Sequence, residues 1–206
     1  LAEGHFLPNQ EIIREQPHNH VSINLLDDFV NYFNAVSRLP CQTSTDAAIR
    51  VGATIVEVIQ GPCTGNQTHF ALSTDLLEIQ NRIMRAKVVN DCIEDAEIEL
   101  KKTCLDTISA LLEGQTPKDQ VTERILSVLH LDIIIMLSKP SEFDDEPEEE
   151  ASEERESLQT DCQVLLQMLC DYKPAIRDEM EAEGGPDMDG TTTASVEVSW
   201  DGILNR

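Results

Sequence analysis

Long apolar runs are missing from these 206 residues: no stretch of about 18 consecutive apolar side chains occurs, so nothing within the chain is expected to cross a bilayer. Its first residues also lack a basic region followed by an apolar one, the pattern of a secretion signal. Cations are scarce. The 15 Lys and Arg face 39 Asp and Glu, a formal net charge of −24, which argues against nucleic acid as a partner, because backbone binding needs clustered cations. Cations and basic surfaces are the expected partners instead. The six cysteines, at 41, 63, 92, 104, 162 and 170, form no Cys-x-x-Cys pair and have no histidine at zinc spacing. Reduced, largely buried thiols are expected. No phosphate-loop, nucleophile or metallohydrolase motif is present, so the chain is not read as an enzyme. No fixed-period repeat stands out either.

What is present is helical periodicity. After Pro8, residues 9–16 suit a short helix limited by Pro17. Ser22 is a candidate cap for a second helix that carries Leu25, Leu26, Phe29, Val30, Phe33 and Val36 at three-to-four-residue intervals until Pro40. A third helix opens at 43–45 and runs through Ile55 and Ile59 to Gly61-Pro62, where glycine supplies a left-handed end and proline cannot continue the ladder. Further helices are predicted over 68–85, 94–113 and 119–138, each with an apolar face. Six helices with short connections predict an all-α antiparallel array, bundle-like or solenoid-like, over residues 1–140.

Composition changes at Ser141. The acidic stretch 141–156 reads as a self-repelling linker. Residues 157–177 regain helical spacing, 178–191 form an acidic Gly-rich loop, and 192–206 contain alternating Thr, Val and Trp that suggest a strand. One strand is not stable alone, so its sheet partners are expected elsewhere in a larger protein of which this chain is a fragment.

The block from Glu57 to Gln67, Glu-Val-Ile-Gln-Gly-Pro-Cys-Thr-Gly-Asn-Gln, carries the most information. Glu57 falls in the last turn of its helix, where the macrodipole disfavours an anion by about 0.3–1 kcal/mol. It is either solvated or compensated by a cation. Gln-Gly-Pro-Cys-Thr-Gly-Asn-Gln after an apolar helix resembles a segment of the associated homology domain shared by ryanodine receptors and inositol trisphosphate receptors, the intracellular calcium-release channels. Glu3-Gly4-His5, followed by Gln10, Arg14 and Gln16, is similar to that domain's opening helix, and Ser195–Trp200 resembles the strand leading toward the family's channel region.

The resemblance implies a cytosolic part of a ligand-gated channel of the endoplasmic or sarcoplasmic reticulum, a homotetramer reaching the membrane through segments outside this chain. It also implies an activating calcium site: Glu3 and Glu57 as its two carboxylates, His5 and Gln60 beside them, and a further oxygen from a C-terminal element outside this chain. Alone, such a partial site should bind calcium on the order of 10⁻⁴–10⁻³ M or more weakly. After Asn66-Gln67 the family usually has Arg-Leu-Trp-Asp, where this chain has Ser73-Thr74-Asp75-Leu76-Leu77. The alternative is a helical interaction scaffold without ion gating. Other candidate sites fail on their residues: an EF-hand on Gly190 would put Gly185 and Val196 at ligand positions, His18 and His20 read as a polar loop, and Cys63 has no adjacent cation to activate it.

Overall fold

The computed structural model describes residues 6–39, 41–86, 94–139 and 153–182, and every described regular element is an α-helix. There are ten of them: α1 Leu7–Arg14, α2 Leu25–Val36, α3 Gln42–Ile59, α4 Thr64–Ser73, α5 Leu76–Arg85, α6 Glu94–Leu112, α7 Gln120–Val128, α8 Leu131–Leu137, α9 Glu153–Tyr172 and α10 Ala175–Ala182. The strand expected within 192–206 and the would-be EF-hand at Gly190 lie outside the described residues, as does most of the acidic stretch 141–156.

The long helix α6 is the axis of the packing. α3 lies against it over the most extensive interface, with α9, α5 and α7 on its other sides, and residues as different as Ile98, Cys104, Ile108, Leu111 and Leu112 are all buried. A helix apolar on several faces must be covered on several faces. The core is aliphatic: Ile55, Ile59, Leu76, Leu105 and Ile125 are fully buried, and among the described residues Phe33 and Phe70 are the only fully buried aromatics. Where α3 crosses α6, Gly52 leaves room for the Thr103 methyl.

Several boundaries differ from the sequence expectation, each for a local reason. The cap of α2 is Asn24, whose side chain accepts a hydrogen bond from Leu26 N at 3.0 Å; the Ser22 hydroxyl instead accepts from Gln16 N at 2.9 Å. The helix expected over 68–85 is two. α4 starts earlier, because Cys63 O already accepts from Asn66 N and Gln67 N. It ends at Thr74, which is extended and whose hydroxyl donates back to Phe70 O at 2.7 Å while accepting from Leu76 N at 3.3 Å. The helix expected over 119–138 also divides, at an extended Leu129. Asn81 of α5 spans that gap, donating to Val128 O at 2.8 Å and accepting from His130 N at 3.0 Å. Finally, α9 starts inside the expected linker, where Arg155 pairs with Glu94 of α6, and α10 continues past Pro174 into the expected acidic loop, burying Ile176 and Met180.

Candidate functional site

The C-terminal end of α3 carries Glu57 and Gln60. Glu57 is half-buried and Gln60 buried. Gln60 leaves the helix in an extended conformation and Gly61 follows at φ 94, a left-handed conformation that glycine adopts without strain. Four orphan carbonyls are expected at such an end. Gln10 of α1 serves two of them, its amide donating to Glu57 O and Gln60 O at 2.8 Å each. Asn66 of α4 serves a third, donating to Val58 O at 2.8 Å and also to Gln10 O at 3.0 Å. Its own oxygen accepts from Arg14 Nε at 3.1 Å.

The next residues extend this polar knot to α6. Gly61 N donates to Glu113 Oε2 at 2.9 Å. Gln67 donates to Ala110 O at 2.8 Å and Glu113 O at 3.0 Å, and accepts from the Gln115 amide at 3.0 Å. Gly114 has φ 71, and a β-carbon there would stand 2.9 Å from Pro62 Cγ. Tyr172 at the end of α9 donates to Leu112 O at 3.1 Å. The Gln-Gly-Pro-Cys-Thr-Gly-Asn-Gln segment thus ties the ends of α1, α3, α4 and α6 together through neutral amides. Gln10, Asn66 and Gln67 are at most 1% exposed. Their structural role was not anticipated from sequence; the clustering of amide residues around one Gly-Pro turn was the available signal.

The α3 carbonyls are capped by amides, and Arg14 turns to Asn66 and Glu15. No ion pair reaches the Glu57 carboxylate among the described residues. The cation considered as its compensation is therefore not an arginine or lysine of the described chain. Glu3 and His5 lie outside the described residues. Among the described residues no group of three or more His, Cys, Asp and Glu side chains gathers to hold a metal. Calcium takes roughly six to eight oxygens, and the described residues gather no such set around Glu57.

The remaining chemistry is quiet. Cys63 is fully buried, and burial pushes its thiol above the ordinary range. Burial also raises the Cys104 and Cys162 thiols to about 12. Among the described cysteines Cys41 is the exception to the expected burial: it is exposed, and hydrogen bonding to Ser44 lowers its thiol. His18 and His20 sit exposed in the α1–α2 connection, as expected of a polar loop.

Residues 1–84 match the family model described as RyR and IP3R Homology associated. These 84 residues, fewer than half of the 206, are similar to that family. The RyR and IP3R homology associated segment covers α1 to α5, including Glu3, His5, Glu57, Gln60 and all of the knot except its α6 and α9 partners. No curated protein matches the chain, and no described helix is long and apolar enough to cross a membrane.

Proposed function

We propose that this chain is a cytosolic part of an intracellular ligand-gated calcium-release channel, and that Glu57, with Glu3, supplies carboxylates to an activating calcium site coupled to pore opening. The observation that carries the reading is a half-buried carboxylate without a cationic partner among the described residues, in the family segment, at a helix end whose carbonyls are already capped. A helix C-terminus disfavours an anion, so a bound cation would be stabilised there. Gln60, three residues on in the chain, and His5 are assigned the role of supporting groups. The knot holds the end of α3 rigidly to α1 and α6, so a ligand at Glu57 would act on a fixed element and not on a loose loop.

The shell is completed by oxygens from a pore-linked C-terminal segment of the same homotetrameric channel at the reticulum membrane. Calcium binding then favours whichever arrangement brings the two parts together, a shift in population between closed and open states. Coupling of about 1–3 kcal/mol changes their ratio roughly 5–150-fold.

Reconstitution of the full-length protein in planar bilayers tests the reading. Calcium-activated cation currents are expected. A protein that expresses, assembles and gives no current over a full range of calcium would contradict it and favour a helical interaction scaffold.

A further inference from the structure

Large exposed apolar side chains are unevenly placed. Six of them fall between Phe6 and Leu25, within α1 and the connection to α2. Ile12 is 55% exposed, Val21 74%, Ile23 59% and Leu25 42%. The connection is held in place. The Gln16 side chain accepts from Ile23 N at 2.7 Å and donates to Ile23 O at 2.9 Å, and the same amide also donates to Ile12 O. Asn24 turns the other way, to Leu26 N and His69. Gln16 therefore ties the backbones of Ile12 and Ile23 together, and Val21 and Leu25 lie two residues to either side of Ile23 in the chain. Clustered apolar surface of this kind marks an interaction site far more often than scattered single residues do.

The rim of this apolar patch is acidic. Glu11 and Glu15 flank Ile12, and Asp27 and Asp28 follow Leu25; all four are exposed. Between residues 6 and 37 the one Lys or Arg is Arg14, whose guanidinium is engaged with Asn66 and Glu15. We infer that this patch is the docking surface for a basic amphipathic helix of a partner protein, its apolar face laid on Ile12, Val21, Ile23 and Leu25 and its cations on the flanking carboxylates. Helices dock on such faces through anchors at helical spacing, and complementary charge steers encounter and register.

Charge decides between possible occupants. A second copy of the chain brings another net −24 and the same acidic rim, so self-association through this face is opposed. An anionic membrane is opposed for the same reason. The chain's own segments outside the described residues carry two Lys or Arg between them, Lys87 and Arg206, too few for a basic helix.

The test is fluorescence anisotropy of a labelled peptide titrated with the 206-residue chain. The probe is a synthetic peptide of about 18 residues with Leu and Lys on opposite helical faces, alongside Leu/Glu and Ser/Lys counterparts. Saturable binding of the Leu/Lys peptide alone is expected, weakened about tenfold or more by Ile12→Asp/Ile23→Asp. The exposed control pair Met136→Asp/Val164→Asp should leave it within about twofold. Should Ile12→Asp/Ile23→Asp lose its helical circular dichroism, Glu11→Lys/Asp28→Lys decides instead: weaker binding with a shallower salt dependence is expected. Equal binding of the Leu/Glu peptide, equal binding of the Ser/Lys peptide, or affinity unmoved by the deciding variant would overturn the assignment.

Discussion

Asn66 shows most clearly what single residues do here. It is fully buried, and its amide donates to two backbone carbonyls from two different helices. Substitution by alanine leaves Val58 O and Gln10 O without those donors and frees Arg14. Each buried group left unsatisfied costs about 1–3 kcal/mol, so Asn66→Ala should lower the unfolding free energy by about 2–4 kcal/mol in urea titrations at unchanged slope. A loss below about 0.5 kcal/mol, the usual surface value, would mean that water replaces the amide and that the knot is not structural. At this scale the sequence was half legible. Gly61 and Pro62 announce the stop of α3 because their backbones permit few alternatives. A buried amide has no such signature: Gln10 and Asn66 are polar residue types, and only their placement shows that they face inward.

Between elements, the α3–α6 crossing depends on a missing side chain. A β-carbon at Gly52 would collide with the Thr103 methyl, and Thr103 cannot readily rotate away because its hydroxyl donates to Glu99 O at 2.9 Å. In a free helix alanine is favoured over glycine by about 1 kcal/mol, whereas overpacking a core costs about 1–3 kcal/mol. Gly52→Ala should thus be net destabilising, by about 1 kcal/mol, and Gly52→Ala/Thr103→Ser should recover the loss; thermal or urea unfolding of the three proteins measures both. Stabilisation by the single change would show that the crossing has slack. The existence of the helices was readable from three-to-four-residue spacing, but two breaks were not. Phe70 with Ala71, and Leu76 with Leu77, keep an apolar face going across Thr74, so periodicity alone does not register the interruption. α10 was hidden differently, its acidic composition outweighing Ile176 and Met180, which lie one helical turn apart on the buried side.

Across the whole molecule, the described core runs from α1 to α10 without regard to the end of the family match at residue 84. α3 presents Ile55 and Ile59 to a core that α6 completes, and α6 is covered in turn by α9. A chain cut after residue 84 should therefore bind a hydrophobic dye and unfold without a sharp transition, while residues 1–182 should keep a cooperative one. Equal cooperativity in both would establish the family segment as a free-standing unit. The net charge and the absence of long apolar runs were plain in the sequence. The return of α9 onto α6 was not, because a strongly acidic stretch stands before it and gives no sign of the partner it reaches.

The channel reading rests on Glu57, and the calcium concentration for half-maximal opening of the full-length protein tests it most directly. Single-channel recording should show Glu57→Gln shifted to higher calcium by roughly 5–150-fold, the range of about 1–3 kcal/mol of coupling, with conductance and expression intact. Half-activation at the same calcium concentration in wild type and Glu57→Gln would contradict the account.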